Sequence, residues 1–142
     1  MVALYNEDAF QRSPSAGFDG IWDWDFLKGA FGPTIMPMDI DALVERRGHF
    51  VIFETKKTGV EIPQGQKIAL GKLIELGRGH ITLIVVFGKS VTESFHVVKL
   101  NATGGFHNAP YPEGTNKKLW DFCHAWYEEV EAGGTPGRVM AT

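Results

Sequence analysis

Two acids and one amine are spaced in this sequence so that they could bind a metal ion and act on a phosphate. Asp41 precedes a basic segment, Arg-Arg-Gly-His at residues 46–49, and Glu54 and Lys56 end the apolar run that follows it. This arrangement of a turn signal between two extended segments predicts a β-hairpin. Mg²⁺ takes oxygen ligands and usually only one or two protein carboxylates. The pattern therefore predicts a Mg²⁺ or Mn²⁺ site carried by a hairpin.

The register of this hairpin decides whether the two carboxylates meet. If the turn is centred between Arg47 and Gly48, residues equally distant from the turn face each other, and Asp41 lies opposite Glu54. Lys56 shares their face because strand side chains alternate, and Asp39 is predicted to lie opposite Lys56. Opposed like charges destabilise a sheet, so a cation is expected between them. The alternative is a ladder of surface ion pairs on a solvated sheet face.

An Asp followed about a dozen residues later by Glu-x-Lys at the end of an apolar strand resembles the signature of the PD-(D/E)XK nuclease superfamily. Segments 38–46 and 51–56 are most similar to small phage-type and Holliday-junction-resolvase-like (VRR-NUC-like) members. The resemblance implies an α/β fold with a restriction-endonuclease-like core, in which helices flank a central mixed sheet of four to five strands.

The same resemblance implies roles for individual residues. Asp41 and Glu54 would hold one or two metal ions, with the backbone carbonyl of Thr55 as a further ligand. Lys56 would orient or deprotonate the attacking water, or stabilise charge on the phosphate in the transition state. Gln66 would support the metal-bound water or the scissile phosphate.

Three further acids are candidates for the metal site. The superfamily often brings an additional acid from a helix before the hairpin, and Asp23 or Asp25 could serve in this way. Both lie in a predicted helix that Asp19 caps and that places Phe26 on its core face. Asp39 is the third candidate. For Asp23 and Asp25 the alternative is ordinary charge on the solvent face of a helix.

Downstream of the hairpin the sequence predicts a helix over residues 64–77, with Leu70, Leu73 and Leu76 on its apolar face. Gln66 falls on this face, one turn before Leu70, so its amide needs buried hydrogen-bond partners. The nearest polar group that the pattern offers is the predicted carboxylate site. The alternative is a hydrogen bond from Gln66 to the backbone.

The remaining sequence predicts more strands and one more helix. Residues 80–87 are almost continuously apolar, which is typical of a central strand buried on both faces. Following a helix, this strand most simply runs parallel to the second hairpin strand. The other predicted elements are a strand over 92–100, a loop over 101–114 and a helix over 116–130. We expect Trp120 and Trp126 of that helix to pack in the core, and the alternative is that they stack on bases.

Composition favours a globular protein in a reducing compartment. The 142 residues predict a single domain over 1–132 with a flexible tail over 133–142. No apolar run approaches the roughly 18 residues of a membrane span, no signal peptide is visible, and Cys123 is the only cysteine. These features predict no membrane partner and a cytoplasmic location, in a bacterial or phage-infected host cell.

The charge distribution favours nucleic acid as the partner. The net charge is −3, but residues 46–99 contain 9 bases and only 4 acids. Within this segment we expect Arg46, Arg47, Lys57 and Lys67 to bind the DNA backbone.

The function that these patterns predict is metal-dependent hydrolysis of phosphodiester bonds in DNA, as an endonuclease or exonuclease. A homodimer is expected if two strands are cut in concert. Two alternatives remain: a non-catalytic module that keeps the nuclease fold and binds nucleic acid or protein, and a small acidic interaction module whose aromatic helices bind a partner.

Overall fold

The computed structural model describes residues 23–136, and the chain divides after Asp39 into two compact units. In the first unit, the described residues form a short 3₁₀ helix, Asp25–Leu27, and an isolated bridge between Gly29 and Gly32. The predicted α-helix is therefore wrong from Asp23 onward, while its beginning at Asp19 lies outside the described residues. Gly29 and Gly32 have φ of 87° and 93°, which end any helix there, and Phe26 is 71% exposed.

The second unit is an α/β structure with five strands and two helices. Its elements are β1 (Ala42–Arg46), β2 (His49–Lys56), α1 (Gln64–Gly77), β3 (Ile81–Gly88), β4 (Thr92–Leu100), β5 (Phe106–Tyr111) and α2 (Asn116–Glu131). The strands lie in the order β1-β2-β3-β4-β5, with β2 and β3 parallel and every other neighbouring pair antiparallel. This confirms the predicted mixed sheet flanked by helices. The predicted single domain over 1–132 and tail over 133–142 stay predictions.

The hairpin has the predicted register. Arg47 and Gly48 have φ of 52° and 78°, the positive values that a two-residue type I′ turn requires. Pairing runs from Arg46 opposite His49 to Ala42 opposite Phe53. Because β1 begins only at Ala42, the ladder ends before the predicted pairings of Asp41 with Glu54 and of Asp39 with Lys56, and neither pair belongs to the ladder.

Two apolar layers cover the two faces of the sheet. On one face, α1 packs Leu70 and Ile74 against strand residues Ile52, Leu83 and Val85. On the other face, α2 packs Trp126 and Val130 against Val51, Ile84, Phe95 and Val97. Since β3 contributes to both layers, it is the central buried strand that the sequence predicts.

The buried faces of the two helices differ in part from the predicted ones. Ile74, rather than Leu76, completes the buried face of α1, and Leu76 is 79% exposed. In α2, Trp126 is 6% exposed as expected, but Trp120 is 63% exposed and the prediction for it is wrong. Trp120 is not part of the apolar layer in which Val130 packs against the sheet.

One strand was not predicted. Residues 101–114, expected to form a loop, contain β5, which pairs with β4 at the edge of the sheet. Pro110 has no N–H to donate, so it is tolerated in a strand with only one neighbour. Gly, Asn and Pro in this segment hide the strand from sequence patterns. Within residues 23–136, no helix is long and apolar enough to cross a bilayer.

Candidate active site

Glu54 is a buried acid on the face of the sheet that α1 covers. Side chains alternate along β2, so Val51 faces α2 and Ile52 faces α1. Glu54 and Lys56 lie on the same face as Ile52. Glu54 is only 4% exposed. A carboxylate at this depth requires partners, because burying an unpaired charge is costly.

The partners of Glu54 come from three segments. The Lys56 Nζ lies 3.5 Å from Glu54 Oε1. Burial raises the pKa of Glu54 above its ordinary range, hydrogen bonding from Gln66 lowers it, the Asp41 charge raises it, and Lys56 lowers it again. Asp41 lies at the same strand end, because its carboxylate accepts a hydrogen bond from the backbone N–H of Thr55. Asp41, Glu54, Lys56 and Gln66 thus form one electrostatic cluster.

Asp41 is held at the end of the hairpin ladder by Thr55. The backbone N–H of Thr55 donates to Asp41 Oδ2 at 2.7 Å, and its hydroxyl donates to the same oxygen at 3.0 Å. The Asp41 side chain therefore takes the place of a backbone acceptor just beyond the last pair, Ala42 and Phe53. In a strand, the N–H and C=O of one residue project from the same edge. The Thr55 carbonyl accordingly projects from the edge on which Asp41 lies.

Gln66 reaches the site from the first turn of α1. This helix begins at Gln64, after Pro63, as the sequence predicts, and it places Gln66 one turn before the buried Leu70. The half-buried side chain of Gln66 is thereby directed at β2. Hydrogen bonding from Gln66 lowers the pKa of Glu54, as expected for an amide directed at the carboxylate site.

Two buried oxygens in this cluster have no hydrogen-bond donor. They are Glu54 Oε2 and Gln66 Oε1. Together with Asp41 and the Thr55 carbonyl, they form a set of oxygens that suits a hard divalent cation such as Mg²⁺. Among residues 23–136, no group of three or more His, Cys, Asp or Glu side chains forms a metal-binding cluster. The protein would thus supply two carboxylates and neutral oxygens, a set that fits Mg²⁺, which usually keeps several of its waters.

The other candidate acids belong to the first unit. Asp23 accepts a hydrogen bond from the backbone N–H of Asp25 at 2.9 Å, which is a local turn contact. Asp39 is exposed and lies in a segment without regular structure.

The four predicted DNA-binding residues lie in two groups. Arg46 and Arg47 are at the turn end of the hairpin, where both pair with Glu131 at the end of α2. This contact raises the pKa of Arg46 and lowers that of Glu131. Lys57 directly follows the strand end that carries the site, and Lys67 lies next to Gln66; both are exposed. The length of β2, at about 3.3 Å per residue, separates the two groups.

A cavity that sequence reasoning missed lies on the same face of the sheet. It has a volume of about 640 Å³ and lies between α1 and strands β3 to β5, with Phe87, His96 and Asn108 among its lining residues. Pairing across the sheet places His96 in one row with Glu54, with Val85 between them. The alternation of Ser94, His96 and Val98 was the available signal. None of Asp41, Glu54, Lys56 and Gln66 lines the cavity.

Comparisons of this chain with protein-family models, with curated proteins and with solved structures find no match.

Proposed function

We propose that this protein is a metal-dependent phosphodiester hydrolase that cleaves DNA, as an endonuclease or exonuclease, and that its second unit is a restriction-endonuclease-like core. One observation carries the proposal: a hairpin and the following helix bring Asp41, Lys56 and Gln66 to the buried carboxylate of Glu54. Such a concentration of charge in an otherwise apolar layer destabilises the fold unless it binds something, and perturbed carboxylates of this kind are typical of functional sites.

Asp41, Glu54 and the Thr55 carbonyl would hold the ion. A bound Mg²⁺ or Mn²⁺ supplies Lewis-acid stabilisation of the phosphate and lowers the pKa of water at the site. Thr55 fixes the orientation of Asp41 through two hydrogen bonds to one oxygen, which leaves the other oxygen of the carboxylate for the ion. Gln66 would orient Glu54 from α1 through a hydrogen bond to its carboxylate.

Lys56 would act on the phosphate or on the attacking water. Its side chain is 20% exposed and its ammonium group is near, but not in tight contact with, Glu54 Oε1. When the ion neutralises Glu54, the ammonium can turn to an incoming phosphate and stabilise the charge that develops on it. Deprotonated, the same amine can accept a proton from the attacking water. Lys57 and Lys67, exposed nearby, would hold the DNA backbone without reading its sequence.

The proposal is tested by cleavage of labelled single-stranded, duplex, flap and four-way DNA in Mg²⁺, in Mn²⁺ and in EDTA. We expect cleavage of at least one substrate, lost in EDTA. Lys56→Ala should lower the rate by roughly 10²–10³-fold. The matched control is Lys72→Ala, which removes an exposed lysine of α1 and should leave the rate unchanged.

Two outcomes would contradict the proposal. If Lys56→Ala cleaves DNA as fast as the wild type, the amine has no role in catalysis. If instead no substrate is cleaved although DNA is bound, the chain is a non-catalytic module with this fold. That second candidate is favoured by the burial of Glu54, which raises its pKa and so favours the neutral acid over the carboxylate that a metal ion needs.

A further inference from the structure

The outer face of α2 carries six exposed side chains in one stripe, which we name the α2 stripe. Its members are Lys117, Trp120, Asp121, His124, Tyr127 and Glu128. None of them belongs to the apolar layer that Trp126 and Val130 form with the sheet. Trp120 is 63% and Tyr127 is 44% exposed, although aromatic side chains of this size are usually more buried. Packing of the core therefore does not explain why aromatic side chains occupy this surface.

The rings of the α2 stripe are already ordered. Trp120 and His124 stack with centroids 4.8 Å apart, and His124 and Tyr127 stack at 6.3 Å, both with planes tilted by 22°. The three rings form one stacked row along the helix. Because their conformations are fixed before binding, little side-chain entropy is lost when a partner covers them.

The charges of α2 are arranged against its own dipole. Lys117 and Lys118 are in the first turn, and Glu128, Glu129 and Glu131 are in the last, with no acid in the first turn and no base in the last. Cations at the N-terminus and anions at the C-terminus of a helix are unfavourable. Glu131 is compensated by ion pairs to the hairpin turn, whereas the contact of Glu128 within the fold is with His124 of the same helix. A second helix running in the opposite direction would offset both the charges and the dipole.

The charges of the α2 stripe also make nucleic acid an unfavourable partner for it. Exposed aromatic rings can stack on bases, but single-strand binding also needs a positively charged groove along the backbone. Asp121 and Glu128 outnumber Lys117 within the α2 stripe. A phosphate backbone would therefore be repelled along most of its length.

The α2 stripe is complementary to itself when two copies are antiparallel. About an axis near residue 123, Lys117 of one copy faces Glu128 of the other, and Asp121 faces His124. Trp120 of one copy faces Tyr127 of the other across nearly the same axis. Every member of the stripe thus meets a suitable partner, and each contact occurs twice, as in an isologous two-fold interface. We infer that α2 is the interface of a homodimer in which two copies of this helix pack antiparallel.

The contacts within one helix do not compete strongly with this dimer. Lys117 Nζ lies 3.0 Å from Asp121 Oδ2, and His124 Nε2 lies 2.7 Å from Glu128 Oε1. Exposed pairs of this spacing contribute only about 0.3–0.5 kcal/mol each, and the same side chains can bridge to the second copy. The α2 stripe is about 17 Å long at 1.5 Å per residue. So small an interface predicts an affinity in the micromolar range.

The dimer is independent of the proposed catalysis. α2 packs on one face of the sheet, whereas Glu54 lies on the face that α1 covers. Both copies of the candidate site remain accessible. A variant without catalysis, Glu54→Gln, should therefore still form the dimer, and failure of one proposal leaves the other standing.

The test is sedimentation equilibrium of the full chain from about 1 to 500 μM, a range centred on micromolar affinity. The wild type should pass from monomer to dimer over this range. Trp120→Ala should weaken the dimer at least about tenfold, as expected for a central aromatic contact. Leu76→Ala is the matched control, because Leu76 is 79% exposed but lies on α1. It should leave the dissociation constant unchanged.

Charge reversal tests the antiparallel arrangement directly. Lys117→Glu and Glu128→Lys should each be monomeric on its own, since each homodimer then contains two pairs of like charges. Mixed in equal amounts, these two variants should form a heterodimer in which both pairs are attractive. Circular dichroism confirms that each variant is folded. A monomeric wild type at every concentration, an unchanged dimer in Trp120→Ala, or a mixture that stays monomeric would each overturn the inference.

Discussion

Glu54 is an acid whose negative charge is unfavourable in its buried surroundings. Its carboxylate is 4% exposed, one of its oxygens has no donor, and a second acid, Asp41, raises its pKa further. Lys56 and Gln66 offset only part of this cost, because burial remains the largest influence on the pKa. A site with these properties is stabilised either by a proton on Glu54 or by a cation. Protonation of Glu54 is favoured at low pH, whereas binding of a cation is favoured at higher pH, where the carboxylate is charged.

Replacing Glu54 with Gln separates these effects. Because burial raises the folded-state pKa, the stability gained from the protonated form is fully present below the ordinary value of 4.5 and is lost as pH rises through the folded value. Glu54→Gln, which mimics the protonated acid, should therefore raise the melting temperature in EDTA at pH 7.5 by roughly 2–5 °C. The difference between the two proteins should vanish near pH 4.

The same variant should lose the response of the melting temperature to metal. Mg²⁺ or Mn²⁺ that binds the folded chain raises the melting temperature of the wild type, and this effect should grow with pH as Glu54 loses its proton. Glu54→Gln should show no such rise, as followed by differential scanning fluorimetry with and without metal. An equal metal-induced shift in both proteins would place the ion elsewhere.

At the scale of elements, the hairpin turn determines which residues meet at the site. A two-residue turn with positive φ at Arg47 and Gly48 places Asp41 beside Thr55, and a shift of one residue would move Glu54 to the other face. This placement was predictable because the turn is tight and the strand after it is strongly apolar. β4 and α1 were also predicted with correct bounds, since Thr92–Leu100 and Gln64–Gly77 show clear periodicity.

The turn makes a testable contribution to stability. Gly48 has φ of 78° and a Cβ there would meet nothing within 4 Å, so only backbone strain opposes substitution. Gly48→Ala should cost about 1 kcal/mol. Gly65→Ala is the matched control: Gly65 lies in the first turn of α1, also with nothing within 4 Å, and Ala there should stabilise by about 0.5–1 kcal/mol. Urea denaturation of both variants measures the two effects, and a loss of stability in both would contradict the assignment to φ.

Elements without strong periodicity could not be predicted. β5 contains Pro110 and follows a loop rich in glycine, and it becomes a strand only because β4 offers an edge to pair with. The prediction of a helix before the hairpin relied on the spacing of aromatic residues. It neglected Gly29 and Gly32, whose positive φ is incompatible with a helix there. In both cases tertiary context or backbone conformation outweighed side-chain pattern.

At the scale of the whole molecule, the sequence did not reveal contacts between segments that are far apart in the chain. The ion pair between Arg46 and Glu131 joins residues 85 positions apart, and it occupies an arginine that was expected to bind DNA. The exposed Trp120 was likewise unexpected. The position of Gln66 beside Glu54 was predictable, because a helix following a strand must return across it and a buried amide must find a partner.

A second buried charge joins α2 to the sheet and supports the last prediction. Lys99 on β4 is 7% exposed, and burial lowers its pKa more than the attraction of Glu129 on α2 raises it. Its charge is therefore a net cost at neutral pH, and Lys99→Met should stabilise the fold. By linkage, the stability of a lysine with a lowered pKa is present above its ordinary value of 10.5 and is lost as pH falls. The advantage of Met should accordingly shrink at alkaline pH.

Glu129 supplies the control for this prediction. It is the acid that partly compensates Lys99, and one of its buried oxygens has no hydrogen-bond partner. Glu129→Gln should therefore destabilise the wild type by about 1 kcal/mol but have little effect in the Lys99→Met background, as expected for two coupled groups. A double-mutant cycle by urea denaturation at pH 7 measures this coupling. Equal effects of Glu129→Gln in both backgrounds would mean that the two charges do not interact, and that α2 is held to the sheet by apolar packing alone.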